Sequence, residues 1–597
     1  MSPLARPLRP PVAVMLCAIA AAACSAPAPR ENCTITVHEG ARQVFKGFGV
    51  GQSLWDAQQG YAGLPDSVRD TLARFLWHDL NFRYLRLRST VRQCTDTASD
   101  CAGSVFDSYD LYVRDARKYQ DSLVLLLAPH GEIGDDLDTY ARKYAYQIKA
   151  LRDTGLVITY TGISNEPDWE NLLDADQIPE LIRAFRRHLD SLGLTDVRIV
   201  APENSSADWK AQEFVDSILA DPAATSALDA FATHSYNWSI TEDMNGLVEP
   251  YVLGGAKEYW MTEASEFGTE QWEDAKEASS ALSRYFADMN HLCNVWFFYV
   301  GIKGVESDWR MSGNKNTAFY MILYRAVEQD WGYLLKSWYF KAASQAIDPY
   351  AVFRKSTTNL RRVDSTKYWR TEDSTMVYAF GRKAPLYLGA AVNPDGSWCI
   401  GVTNYTGEVL TTPITEVLEE TVYDITVKVE ELVDSGDIEF SVTRCNADTP
   451  YVHEEGTVSM QDGLVQIDSL GSFDMITMRS PSGTVDARGT ALPSLPPGPS
   501  ANGLRLTARW SAGSRHAALS FDVPRETGMR AVPITIRVYD VRGRLVAIPL
   551  RRLVTPGTHT VHWNGRGIAG GVLSSGVYAV RAETIAASAR ARMVIGR

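Results

Sequence analysis

Eight short apolar runs separated by amphipathic stretches constrain this chain more than any other feature. They fall at 45–50, 84–88, 122–128, 160–164, 197–202, 230–233, 259–262 and 295–300. Helical spacing of apolar residues marks the segments between them, at 67–76, 137–151, 178–192, 211–219 and 273–292; the first opens on Ser67 as an N-cap candidate. Eight strands alternating with helices over about 250 residues is the size of a (β/α)8 barrel. A doubly wound open sheet is the competing architecture. It would need a Gly-rich phosphate turn opening a helix, and the Gly47-x-Gly49-x-Gly51 run lacks both that helix signal and a later ribose-binding acid.

The rhythm changes at about residue 337. Short strands separated by turns follow, among them the turn sequence Asn393-Pro394-Asp395-Gly396. A stiff linker, Leu492-Pro493-Ser494-Leu495-Pro496-Pro497-Gly498-Pro499-Ser500, precedes a last segment rich in Arg and without Lys, whose alternating runs read as a small β-sandwich. The expected division is a signal at 1–24, the barrel at 33–336, a β-sandwich at 337–485 (which the strand at 33–40 is placed to join), the linker at 486–501 and a C-terminal β-sandwich at 502–597.

Arg6 and Arg9 followed by an apolar run at 12–23 read as an export signal, too short to span a membrane as a mature helix. Ala21-Ala22-Ala23-Cys24 reads as a lipoprotein cleavage box with Cys24 as the lipidated residue; ordinary small-residue cleavage nearby is the other reading. Cys94 and Cys101 flank a short polar segment as a local disulfide candidate, which an exported location permits. There is no C-x-x-C pair and no His/Cys cluster with metal-ligand spacing, so neither a metal nor another cofactor is expected. The net charge of −13 argues against nucleic acid as a partner. Fifteen Trp and 27 Tyr suit sugar stacking as well as large cores.

The chemistry sits at strand ends. Asn165 and Glu166 follow the fourth run and Glu263 ends the seventh, and a barrel gathers the carboxyl ends of its strands around one mouth. Pro167 is expected to bias Glu166 towards an extended backbone. Two carboxyl groups facing each other across a pocket are the equipment of a retaining glycosidase, one a general acid and the other a nucleophile about 5–5.5 Å away.

These motifs resemble glycoside hydrolase clan A, and within it family 30, across residues 40–480. The resemblance rests on Lys46-Gly47-Phe48-Gly49-Val50, Tyr84-Leu85-Arg86-Leu87-Arg88-Ser89, Asn165-Glu166-Pro167 and Trp260-Met261-Thr262-Glu263, and on Trp338-Tyr339-Phe340 leading into the β module. It implies Glu166 as acid/base, Glu263 as nucleophile and Asn165 as the partner of the sugar 2-hydroxyl. Arg86 would sit beside Glu263, with Arg88 in reserve on the same strand face. His234 and Tyr236 would lie in the sugar site, and Trp296 would form its hydrophobic floor. Where many members carry a Trp- and Pro-rich turn this chain has Ala128-Pro129-His130-Gly131-Glu132, which makes Glu132 a rival acid. The tail resembles the FlgD-type immunoglobulin-like domain through Val538-Tyr539-Asp540-Val541-Arg542-Gly543, Trp563-Asn564-Gly565 and Ser575-Gly576-Val577-Tyr578. That resemblance implies surface attachment.

The sequence thus points to an exported, monomeric, retaining endo-β-glycanase acting on a β-linked polysaccharide, of xylanase or β-1,6-galactanase/glucanase type. It would be held at the cell surface by a lipid anchor or its C-terminal domain. An exo-β-glucosidase or glucosylceramidase-like enzyme, and a carbohydrate-binding protein without turnover, are the alternatives.

Overall fold

The computed structural model describes residues 28–52, 61–91, 103–134, 136–170, 172–235, 252, 257–265, 275–305, 319–325, 330–361, 363–370, 375–410, 414–447, 452–484, 505–511, 516–523, 532–540, 545–555, 557–567, 571–583 and 588–595. The segment read as an export signal with Cys24, the Cys94/Cys101 pair, Tyr236 and the Pro-rich linker lie outside them.

The chain enters through β1 (Arg30–Val37) and then builds eight parallel strands: β2 (Gly47–Gln52), β3 (Tyr84–Thr90), β4 (Val124–His130), β5 (Tyr160–Thr161), β6 (Arg198–Asn204), β7 (Leu228–Ser235), β8 (Glu258–Ala264) and β9 (Cys293–Phe298). They close in sequence order into a barrel, β9 returning to β2 with Gly47 opposite Val295. Every apolar run singled out above overlaps one of these strands, the 160–164 run only at Tyr160–Thr161. Helices α1 (Asp66–Arg74), α2 (Gly103–Arg117), α3 (Leu137–Asp153), α4 (Gln177–Ser191), α5 (Trp209–Ala220), α6 (Pro222–Ala227) and α7 (Ala275–Asn290) occupy the connections. The first starts one residue before Ser67, with Pro65 in the cap position and no side-chain cap. By contrast, Asp136 and Asp208 cap α3 and α5 by accepting from the free N–H groups of their first turns.

Strand alternation sorts the barrel into two cores. Tyr84, Leu126, Tyr160, Val200, Ala230, Ala232, Trp260, Val295 and Phe297 fill the interior. Leu85, Leu87, Leu125, Leu127, Phe231, Tyr259, Met261 and Trp296 point outwards against the helices. The glycine-rich β2 is explained by this packing: a Cβ at Gly49 would lie 2.5 Å from the Phe297 ring and 2.8 Å from Tyr84 Cβ. Gly49 thus makes room for interior aromatics and Gly51 for the close approach of the Tyr299 carbonyl, rather than for a phosphate.

After β9 the chain forms a small sheet (Val300–Val305, Tyr320–Arg325, Asp330–Tyr333) and then helix α8 (Leu335–Ala346). Phe340 on α8 packs against Phe48, Phe82, Trp296 and Phe298 of the outer core, so this helix straddles residue 337 and covers the barrel wall. Beyond it, a six-stranded and a four-stranded sheet pack over a shared core that includes Trp398, Ile425 and Phe440. Strand β1 belongs to the smaller sheet, parallel to Val422–Val429, and its Cys33, Ile35 and Val37 enter that core. The buried pair Lys336 Nζ–Glu277 Oε2 (2.6 Å) links α8 to α7, and Tyr339 donates to the Phe473 carbonyl. Residues 505–595 contribute a three-stranded and a four-stranded sheet around a separate core. No described helix is long and apolar enough to cross a membrane.

Candidate active site

Arg86 organises the mouth. On β3 the side chains of Leu85 and Leu87 face the helices, which turns Arg86 inwards, where it is 4% exposed. Its guanidinium reaches four groups. Nη1 donates to Glu263 Oε2, Nη2 to Asn165 Oδ1 (2.9 Å) and to His234 Nε2 (3.3 Å), and Nε to Glu203 Oε1 (3.3 Å). Arginine is permanently charged and can only donate, so every atom it faces must accept. His234 Nε2 therefore carries its lone pair, and its proton sits on Nδ1, donated to Glu166 Oε1 at 3.0 Å. Burial pushes the His234 pKa down to about 4, so the ring is neutral near pH 7.

Glu263 reaches the cluster through an irregularity. Simple alternation from the inward Trp260 would send residue 263 outwards. The ladder slips between Met261 and Ala264, Ala264 joins the outer core, and Glu263 turns into the mouth. A bulge of this kind re-aims a side chain.

Glu166 follows β5 with φ at 43°, in the left-handed region. This corrects the expectation of an extended backbone before Pro167. Tertiary bonds override the local preference: the Glu166 N–H donates to the Glu203 carbonyl (3.1 Å), and its own carbonyl accepts from Trp169 and Glu170. Such strain persists where the surroundings over-determine it, commonly at functional sites. Burial first, and then the charge of Asp168, push the Glu166 carboxyl up to about 7, against the pull of Arg86 and Arg88. It therefore keeps its proton near neutrality, as a general acid must. Asp168 is held by the Ser205 N–H (2.8 Å) and hydroxyl (2.7 Å). Asp168→Asn removes the raising charge, so the Glu166 titration should move to lower pH when followed by carbon-13 NMR of its carboxyl. An unchanged or upward-shifted titration would contradict this assignment.

Carboxylate oxygens of Glu166 and Glu263 and a His234 ring nitrogen all lie within 4.8 Å of one another. Such a set can hold a divalent ion. Arg86, however, already supplies a positive charge, bonded to Glu263 and to His234 Nε2, and that disfavours a second cation.

The other anticipated residues are distributed differently. Arg88 is exposed at the mouth, close enough to lower the Glu166 pKa, whereas Arg86 is the buried member of the pair. Glu132 is also exposed; together with His130, Tyr140 and Lys143 it lines a 240 Å³ cavity beside the mouth, apart from the Glu166–His234–Glu263 cluster. Trp296 does not form a floor under the site. It points to the outer core, donating its indole N–H to Asp288 Oδ2 (2.8 Å) and packing against Tyr285 and Phe340. The interior aromatics below the mouth are Trp260, Tyr160, Tyr84 and Phe297.

Two residues escaped sequence reasoning. Tyr299, just past β9, has its phenol pKa raised by burial first and then by the nearby Glu263 carboxylate. Glu203, fully buried at the end of β6, is a third carboxyl group under the pair. The signal that selected Glu166 and Glu263, an acid at the carboxyl end of a barrel strand, applies equally to Glu203.

No family model matches the chain. The glucuronoxylanase XynC of Bacillus subtilis is 24% identical to it over 173 residues, which are 28% of this chain and 38% of that protein. The match thus spans little more than a third of that relative. Among solved structures, the catalytic domain of family 30 xylanase C from Talaromyces cellulolyticus aligns with TM-score 0.54 at 16% identity, covering 75% of this chain and all of that one. A family 30 endoxylanase from Clostridium papyrosolvens aligns with TM-score 0.52 at 14% identity (76% of this chain, 100% of the other). An endo-β-1,6-glucanase gives 0.51 at 15% identity, covering 75% and 94%. These likenesses show the fold, a barrel with attached β-sheets.

Proposed function

We propose that this chain hydrolyses β-linked polysaccharide with retention of configuration, through Glu263 as nucleophile and Glu166 as acid/base. The observation that carries the reading is the contrast between two carboxyl groups within 4.8 Å of each other. Glu263 is bonded to a permanent cation, whereas Glu166 lies in a desolvated setting that pushes its pKa to about 7. An inverting pair needs about 6.5–9.5 Å to admit a water between the groups, and a retaining pair does not.

In the first step the Glu263 carboxylate attacks the anomeric carbon as the glycosidic bond breaks, and Glu166 gives its proton to the departing oxygen. His234 donates to Oε1 of Glu166, which leaves Oε2 to carry that proton. In the second step Glu166, now ionised, takes a proton from water, which attacks the anomeric carbon and releases Glu263. Asn165, fixed through Oδ1 by Arg86, is placed to meet the 2-hydroxyl of the reacting sugar.

An endo-acting enzyme of xylanase or β-1,6-glucanase type fits best. The similar proteins are named as glucuronoxylanase, xylanase and endo-β-1,6-glucanase. Trp169 and Trp209, 74% and 70% exposed, follow Asp168 and Ser205 of the clasp by one and four residues and supply aromatic surface for a chain extending past the cleaved bond. The leader ending at Cys24 supports action outside the cell. Incubation with xylans, β-1,6-glucan, β-1,4-glucan and aryl β-glycosides should release a ladder of oligosaccharides from one polymer. Release of single sugars alone would favour the exo-β-glucosidase reading, and binding without release the carbohydrate-binding one.

A further inference from the structure

Glu203 is a buried carboxyl group beside the catalytic pair that the two-glutamate mechanism leaves unused. It is 0% exposed, its backbone φ is 62°, and its Oε2 makes no hydrogen bond of good geometry. Burial raises its pKa, while Arg86 and the Thr262 hydroxyl pull it down. A group so costly to bury needs a compensating role.

Its contacts show what that role is. The Glu203 side chain accepts from Arg86 Nε, while Nη1 of the same guanidinium serves Glu263 and Nη2 serves Asn165. Its backbone carbonyl accepts from the Glu166 N–H. One residue thus touches the holder of the nucleophile through its side chain and the acid/base through its main chain. The residue just past β5 leaves space for it: a Cβ at Gly162 would lie 2.9 Å from Glu203 Cδ and closer still to Oε2, so only glycine leaves the carboxyl in place.

We propose that Glu203 is a positioning residue for the hydrolysis described above, on which this inference rests. It sets the rotation of the Arg86 guanidinium and so the placement of Glu263 and Asn165. Filling space is the competing role, and it makes opposite predictions. A leucine at 203 would serve a filler, whereas a positioning group needs an acceptor for Nε, which glutamine supplies. Displacements on the scale of 1 Å at a reacting group cost about 100-fold in rate.

The test is turnover of an aryl β-glycoside by the full chain. Glu203→Gln should keep kcat within about threefold, while Glu203→Leu and Glu203→Ala should lose about 100-fold in kcat with KM nearly unchanged, because Glu203 touches no substrate. Gly162→Ala should lower kcat by about tenfold, but not when added to Glu203→Ala, since its methyl group then meets no carboxyl. If Glu203→Ala does not fold, the comparison of Gln with Leu, each checked by thermal unfolding, decides the matter. Equal activity of the Gln and Leu variants, additive effects of the Gly162 and Glu203 changes, or a loss confined to KM would each overturn the inference. A wild-type chain without turnover on any β-glycoside would overturn the hydrolase reading and this inference together, whereas turnover with an additive cycle overturns this inference alone.

Discussion

Arg86→Met should lower kcat/KM on a β-glycan by about 1,000-fold and destabilise the barrel by roughly 3–5 kcal/mol. Both effects follow from the number of groups that depend on one guanidinium. Glu263 and Glu203 are 6% and 0% exposed and share its charge, and Asn165 Oδ1 takes a hydrogen bond from it. Methionine fills the aliphatic volume but leaves two buried carboxyl groups without that cation, and one amide oxygen without its donor. Breaking a buried pair from one side costs far more than the pair itself contributes. Arg86→Lys should rescue little, because a single ammonium cannot span acceptors arranged around a planar fork. Arg88→Met is the contrast. Arg88 is exposed and lowers the Glu166 pKa, so its loss should leave the fold intact and move the alkaline limb of kcat/KM to higher pH. Urea unfolding beside steady-state kinetics checks both; full activity in Arg86→Lys would show that the fork geometry is irrelevant.

The barrel was legible because parallel strands buried on both faces read as largely apolar runs, although Arg86 and Arg88 interrupt the second and Arg198 the fifth. The same property hid which way each side chain faces. Trp296 and Phe297 are adjacent and equally apolar. Only the register, which sets Phe297 against Gly49 and Trp260, shows that Phe297 occupies the interior and Trp296 the outer core. The family resemblance singled out Arg86, and Arg88 joined it in reserve because the two share a strand face. Depth along the strand separates them, and depth is a property of the closed barrel rather than of the sequence.

Glu166 and Glu263 were found by their place at strand ends, although alternation alone would have pointed Glu263 outwards. The bulge that turns it inwards left no mark in the sequence. The backbone of Glu166 defied the rule for a residue preceding proline because the bond from its N–H to the Glu203 carbonyl comes from another strand. Glu203 went unnoticed although it satisfies the same strand-end rule. What distinguishes it, complete burial beneath Arg86 and the space left by Gly162, exists only after the strands are assembled.

Replacing either member of the carboxylate pair with alanine should reduce hydrolysis of natural glycan by about 10,000-fold or more. The two losses differ in kind. Glu166 only gives and takes a proton, so an aryl glycoside with a good leaving group should still form the covalent intermediate on Glu263 in Glu166→Ala. That intermediate should accumulate, because no base activates the water. Glu263→Ala can form no intermediate. Azide rescues each variant by a different path. In Glu166→Ala it replaces water in the second displacement. In Glu263→Ala it enters through the space the nucleophile has left and displaces the leaving group directly.

The decisive measurement is the anomeric configuration, by NMR, of the glycosyl azide formed from an aryl β-glycoside by each variant. The account predicts a β-azide from Glu166→Ala, after two inversions at carbon, and an α-azide from Glu263→Ala, after one. The reverse pair of configurations would mean that the two carboxyl groups hold each other's roles, and ready hydrolysis of natural glycan by both variants would mean that neither performs the chemistry.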